Sequence, residues 1–508
     1  MGFSSIDYVV LALYLVGVTV FGTLFRRTQR TVKDYFLGTR NTHWLVISLS
    51  IVATETSSLT LIGVPAIAYG AYARPELGGS LTYLQVVLGY IVARVIVSFL
   101  FIPAYFQGEL VTAYELLRLR FGTKAKHFAA SLFVVTRAFA DGVRVFAASL
   151  VAAAVIGSSL PNFPDLWFWS VVIVGVLTLV YTFEGGVAAV IWTDLIQLVV
   201  YVIGSLLAAW QLLQLVPGGW PTVAAHAAEA NKFQLLSFSW DLTLPFTFWA
   251  GLIGGTFLTM ASHGTDQLLV QRLLTCRNQR DSQKALIASG FIVLVQFLLF
   301  LVIGVMLYAY YQHAPLPRLT TNDEIFPAFI VAHLPRGIAG LMIAAIFAAA
   351  MSTMSGSLNS LASTTIFDFY KPLLRRPVED SQLLRLSRWV TAGWGVVLIA
   401  IALAARDWGS VFVAGLSIAS LVYGPMLGAF LLGVLTRRTT EAGVMIGIGV
   451  SLACMVLVWL FTPLAWTWYV LAGTAICVVV GYGSSVLAGG SPGRAEGEPP
   501  VPSPPIAR

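Results

Sequence analysis

The sequence predicts an all-α polytopic membrane protein with about thirteen transmembrane helices. Three observations carry that reading. Of 508 residues, 58% are hydrophobic and 10% are charged, where a soluble domain carries about 25% charged residues. Apolar runs such as Tyr8 to Phe25, Ile292 to Ala309 and Val444 to Phe461 are 18 residues long, close to the ~20 helical residues that cross a hydrocarbon core. These runs lack the alternation of a strand, which excludes a transmembrane barrel.

Taken along the chain, the spans fall near 6–25, 45–70, 81–105, 128–156, 166–183, 189–214, 246–267, 287–311, 338–363, 387–405, 410–435, 441–462 and 465–487. The first has its basic residues after it (Arg26, Arg27, Arg30 and Lys33). A cleaved signal peptide has the opposite order, so this helix is retained with its N-terminus outside. Alternate loops agree. Arg118, Arg120, Lys124 and Lys126, then Arg272, Arg277, Arg280 and Lys284, then Lys371, Arg375 and Arg376, then Arg437 and Arg438 fall on the cytoplasmic side, while Gly157 to Asp165, Pro217 to Leu244 and Thr462 to Ala465 are poor in Lys and Arg. This places the C-terminus inside an inner, multi-pass membrane protein. It also explains the net charge of +7 without a nucleic-acid partner. Cys276, Cys454 and Cys477 are scattered, with neither metal-ligand spacing nor a disulfide framework.

The second span does not read as a good membrane helix. From Ser48 to Ser58 its middle is rich in hydroxyls around one acid, Glu55, and Gly63 and Pro65 follow. Irregular backbone at membrane depth is tolerated where it lines a cavity or a bound ion. The ninth span carries Ser352, Thr353, Ser355, Gly356, Ser357, Asn359 and Ser360, which reads as close helix packing when taken alone. Paired with a broken helix it supplies oxygen ligands for sodium at the midplane. The seventh span is expected to be interrupted at Gly251, at Gly254–Gly255 and again at Gly264. Counting from spans two and seven gives two groups of five helices with opposite topology. The predicted units are 1–44, an extra helix and cytoplasmic loop; 45–215, the first inverted repeat; 216–244, an extracellular loop; 245–437, the second repeat; 438–487, two further helices; and 488–508, a disordered tail.

Four segments resemble the sodium:solute symporter family in the family's order. Glu184 to Gln197 resembles its fifth core helix, Gly264 to Arg272 the end of its sixth, Ala348 to Ser360 with Phe367 to Lys371 its eighth, and Gly424 to Gly433 its tenth. The resemblance implies a leucine-transporter-like fold of inverted five-helix repeats. It implies a sodium site made of the carbonyls of Ala53, Thr56 and Ala349 and the hydroxyls of Ser352 and Thr353. A second sodium site of some members would use Asp194 and Ser355, but Gly356 stands where those members have another serine, which leaves the stoichiometry open.

Charged residues inside a span are functional candidates by default. Arg137, Asp141 and Arg144 lie at i, i+4, i+7 on one helical face. Their surplus positive charge is balanced either by Glu55 or by a solute carboxylate. Asp266 and Arg272, at the inner end of span seven, read as gate or packing residues. Candidate solute-lining residues are Glu55, Ser58, Thr60, Gln85, Asp141, Arg144, Ser262 and His263.

The implied function is a sodium-coupled symporter that imports a small organic solute, carboxylate or sugar-like, by alternating access. Its partners are sodium, the solute and membrane lipid, and it has no cofactor beyond the coupling ion. Two alternatives stand: proton coupling through Glu55, Asp141 or Asp194, and a transporter-like sensor or channel. There is no convergent catalytic set, phosphate-binding loop or zinc motif, so an enzyme is not expected.

Overall fold

The computed structural model describes residues 3–70, 79–108, 110–157, 163–317, 319, 322–374, 378–408 and 411–489, without the side chains of 155 and 407–419. Arg375, Arg376 and all but the first residues of the expected tail lie outside them. Every predicted span is helical. Helix α1 is Ser5–Thr23, α2 is Trp44–Glu55, α3 is Ser58–Tyr69, α4 is Leu84–Leu100 and α5 is Thr123–Gly157. Helix α6 is Leu166–Leu215, α7 is Gly255–Gly264, α8 is Gln267–Leu274 and α9 is Gln279–Tyr310. Helix α10 is Ile338–Thr364, α11 is Asp380–Ala404, α12 is Val411–Leu435, α13 is Glu441–Phe461 and α14 is Tyr469–Leu487. Among the described residues, eight helices are long and apolar enough to span on their own, and the bent pair α2–α3 adds a ninth.

Helix α6 holds two of the predicted spans. Fifty residues would reach about 75 Å, more than twice the hydrocarbon thickness. The chain turns at Gly186, with φ 52° and ψ −149°. This position admits only glycine for two reasons. The backbone is left-handed there, and a Cβ would stand 2.4 Å from the Tyr35 carbonyl oxygen.

The seventh span departs from expectation. Gly251, Gly254 and Gly255 do not break it. They lie on a π-turn and the helix that follows it, where added Cβ atoms would meet the backbone of Gln85, Thr467 and Val86 at 2.6, 2.4 and 2.7 Å. Their small size lets the helix approach α4 and the turn before α14. The break falls after Gly264, at Thr265 and Asp266, and the Asp266 carboxylate caps α8 by accepting from the Leu268 N–H at 2.9 Å.

Helix α10 lies at the centre. Nearly every side chain from Ala339 to Thr364 is buried, and α10 packs against α1, α2, α3, α5, α6 and α11. Its run of small and hydroxylated residues allows that close approach.

The loop 216–244 clamps the end of α3. Lys232 Nζ donates to the Tyr69 carbonyl at 2.6 Å and sits 4.2 Å above the Tyr308 ring, which places a cation at a helix C-terminus. Gln85 serves the same loop. It donates to the carbonyls of Thr82 and Phe246, each at 3.0 Å, and accepts from the Ser237 N–H at 2.9 Å.

Two predictions follow from these positions. Gly186→Ala should destabilise by more than about 1 kcal/mol in thermal unfolding, whereas Gly17→Ala, where a Cβ meets nothing within 4 Å, should not. Burial pushes the Lys232 amine down to about 8 from its ordinary 10.5. Between those values the unfolded chain holds the proton more tightly than the folded one, so folding is favoured as pH rises. The unfolding-temperature difference between wild type and Lys232→Met should therefore move in favour of wild type from pH 7 to pH 10; a difference that does not change with pH would refute this.

Candidate functional site

The break between α2 and α3 is set locally. Thr56 leaves helical geometry at φ −82° and ψ 96°, and Ser57 caps α3 by accepting from the Thr60 N–H at 3.4 Å. The two helices meet at 69°. The Thr56 N–H and hydroxyl still reach the Val52 carbonyl, at 3.0 and 2.8 Å. The carbonyls of the last turn, from Ala53 on, lose their partners one turn ahead. Thr56 is fully buried, and its hydroxyl oxygen accepts from Gln296 of α9 at 2.9 Å.

Beside this break lies Asp194 of α6, with no exposed surface. It accepts from the hydroxyls of Ser50 at 2.6 Å and Thr54 at 3.2 Å on α2, from Ser352 of α10 at 2.6 Å, and from Arg272 of α8 at 3.0 Å. One carboxylate thus joins four helices. Ser352 spends its proton on Asp194, which leaves its oxygen lone pairs for a cation. Thr353 does the same toward the Ala349 carbonyl at 3.1 Å. The Ser355 hydroxyl donates to the Ser352 carbonyl at 3.1 Å, so the direct partners of Asp194 are Ser50, Thr54, Ser352 and Arg272.

A second polar group forms where α2 ends. Glu55 pairs with Arg94 of α4, a fully buried side chain that the sequence reading passed over. The guanidinium also lies 3.2 Å from His263 Nε2. Nε2 also lies 3.7 Å from the Glu55 carboxylate, and Nδ1 lies 2.9 Å from the Ser262 hydroxyl. Arg94 Nε and Nη1 have no protein partner among the described residues, and neither does the buried hydroxyl of Ser58. Thr60 is half-buried and lies 3.3 Å from the Ser57 hydroxyl.

On α5, Arg137 and Arg144 both reach Asp141, at 3.3 and 2.8 Å, as the spacing predicts. The balancing acid is not Glu55. Arg137 also pairs with Asp266 at the α7–α8 break, so Arg137 and Arg144 face Asp141 and Asp266 with no surplus. Ser357 donates to Asp141, and the Tyr423 hydroxyl donates to Asp266 at 3.0 Å. Arg144 keeps 30% of its side chain exposed and is the accessible guanidinium of this group. Gln85, a candidate solute-lining residue, is engaged with the 216–244 loop through the Ser237 N–H.

Residues 35–450 match the sequence profile of the sodium:solute symporter family. The sodium/sialic acid symporter NanT of Aliivibrio fischeri is 32% identical over 94% of this chain and 93% of its own length. The human sodium/iodide cotransporter is 29% identical over 96% and 75%, and the bovine sodium-coupled monocarboxylate transporter 2 is 30% identical over 94% and 76%. The solved substrate-bound outward-open state of a Na+-coupled sialic acid symporter superposes with a TM-score of 0.86 at 29% identity, covering 95% of this chain and 98% of that one. The nucleobase-cation-symport-1 transporter Mhp1, at TM-score 0.56 and 13% identity over 89% and 94%, shares the fold.

Arg94→Met, which strands Glu55, should lower stability by about 3–5 kcal/mol, and Arg94→Met/Glu55→Gln should restore most of the loss. A thermal-unfolding double-mutant cycle with coupling near zero would show that the pair does not hold α2 to α4.

Proposed function

Since the chain belongs to the sodium:solute symporter family, we propose that it imports a small organic carboxylate together with sodium by alternating access. It is a sodium-coupled symporter with a leucine-transporter-like all-helical fold, and its family comprises transporters, not enzymes. The observation that carries the reading is the junction of α2, α6, α8 and α10 at Asp194, next to the broken backbone at Thr56. Beside it, the carbonyls of Ala53, Thr56 and Ala349 and the hydroxyls of Ser352 and Thr353 are the sodium ligands. They are five neutral oxygens from a broken helix and a facing helix, the arrangement in which this class of fold binds its coupling ion. Residues 45–215 and 245–437 form the two inverted repeats. The inner membrane is the location, with the N-terminus outside and the C-terminus cytoplasmic, in keeping with the basic residues after α1 and in alternate loops.

Two features support an anionic solute. Arg144 is partly accessible, and Arg94, paired with Glu55, keeps two unspent donors; guanidinium is well matched to carboxylate. The relatives described above are named for sialic acid, iodide and monocarboxylates. Sodium is favoured over protons because each acid that would carry a proton has a guanidinium partner: Glu55 with Arg94, Asp141 with Arg137 and Arg144, and Asp194 with Arg272.

The test is thermal unfolding of purified protein in sodium against potassium at equal ionic strength, followed by a panel of monocarboxylates, acidic sugars and neutral sugars in sodium. Sodium should raise the unfolding temperature, and acids should raise it further. Ser352→Ala should increase the sodium concentration required by about tenfold or more, equivalent to ~1.4 kcal/mol. Normal sodium response in that variant would remove Ser352 from the site, and a shift that follows pH instead of sodium would point to proton coupling.

A further inference from the structure

We propose that the guanidinium of Arg272 occupies, as a tethered cation, the place a second sodium ion would take beside Asp194, so that this protein couples one sodium ion per cycle. The inference rests on the sodium-symport reading above and specifies its stoichiometry.

A carboxylate buried at the centre of a membrane protein needs a compensating positive charge. A sodium ion can supply it on each cycle, or the chain can supply it permanently. Here the chain does. Arg272 is 3% exposed and is held from three sides: Nη2 donates to Asp194 at 3.0 Å, Nε to the Ser50 oxygen at 3.1 Å, and Nη1 to the Leu268 carbonyl at 2.8 Å.

The acid oxygen that faces the guanidinium has no ligand capacity left. A carboxylate offers about four acceptor positions. Four donors approach Asp194: Oδ1 takes Ser352, while Oδ2 takes Ser50 and Arg272 and shares the single Thr54 proton with the Ser50 carbonyl, which fills Oδ2.

The facing helix is shaped for the guanidinium. A Cβ at Gly356 would stand 2.7 Å from Leu268 Cδ1, 2.8 Å from Arg272 Nη2 and 3.2 Å from Nη1, so it would press on the guanidinium and on the leucine one turn before it. A hydroxyl-bearing residue at 356 and this placement of Arg272 therefore compete for one volume. The same glycine that removes a potential sodium ligand makes room for the cation that replaces the ion. Ser355, the other hydroxyl on that stretch, is turned to the Ser352 carbonyl. A tethered cation cannot cross the membrane, so it neutralises Asp194 without adding to the driving force. One sodium ion accompanying a monovalent anion would also make the cycle electroneutral.

The test counts bound sodium directly, with no solute. Radioactive sodium binding to the purified full chain, against a potassium background, should give one displaceable site with a Hill slope near 1. Arg272→Gln, which exposes the uncompensated acid, should give two. Because that variant strands a buried carboxylate and can fail to fold, Asp194→Asn/Arg272→Gln removes both charges together and should return the count to one. Two sites in wild type would overturn the inference and leave sodium symport standing. So would a folded Arg272→Gln variant that still binds one ion, or a folded double variant that binds none. Wild type binding no sodium above the potassium background would overturn the inference and the symport reading together.

Discussion

The structure depends on neutralising charge where water is absent. An ionised carboxylate in the middle of a bilayer protein is tolerated only with a partner; among the described residues Asp141 finds its partners on its own helix, and four other acids find theirs on a different element. Asp194 of α6 meets Arg272 of α8, Glu55 of α2 meets Arg94 of α4, and Asp266 at the α7–α8 break meets Arg137 of α5. On the π-turn Thr365–Tyr370 that follows α10, Asp368 meets Lys126 of α5 at 3.1 Å, and the same ammonium holds Glu115 at 2.7 Å. These pairs fall on the helices that are broken or on their neighbours. A broken helix loses backbone hydrogen bonds, and the side-chain ties hold its halves where continuous helical bonding does not.

Much of this was legible in the sequence, for specific reasons. Helical spans announce themselves by length and apolarity, because the bilayer sets both. The break after Glu55 showed as a hydroxyl-rich run followed by Gly63 and Pro65, a composition that makes a poor membrane helix. The shared face of Arg137, Asp141 and Arg144 followed from helical spacing alone, because all three lie on one element. What was not legible depends on contacts between elements. Arg94 is a lone charge in an otherwise apolar run, and its partner Glu55 is 39 residues away on another helix. The rule that a charge within a span is a functional candidate would have flagged it. Gly251, Gly254 and Gly255 look like helix breakers in one dimension, yet they serve close approach to Gln85, Thr467 and Val86. Of the expected interruptions the one at Gly264 is the break, and Asp266 beyond it caps α8.

The same distinction explains why Arg272 read as an inner-end gate or packing residue. Its place in the chain puts it near the C-terminal end of the seventh span. Its side chain is directed back to Asp194, 78 residues earlier, and to Ser50, 222 residues earlier. Gly356, which in the sequence is only a missing serine, becomes intelligible once the guanidinium is seen against it.

Together these contacts separate two roles that a coupling site must keep apart. A cation that is carried must bind and also leave, so its cage cannot be too strong. A fixed carboxylate in a low-dielectric interior would hold sodium tightly and slow its release on the low-sodium side. In the proposed site the five ligands of the carried ion are carbonyls and hydroxyls without formal charge. The Asp194 carboxylate is already matched by Arg272 and touches the site's ligands through the Ser352 hydroxyl it orients. The acid then fixes the direction of an oxygen lone pair without adding its full charge to the cage. Affinity is set by the geometry of α2 against α10, and geometry is what changes when a broken helix moves. Release of the ion can therefore follow from a small separation of two helices, with no ion pair having to be broken in the core.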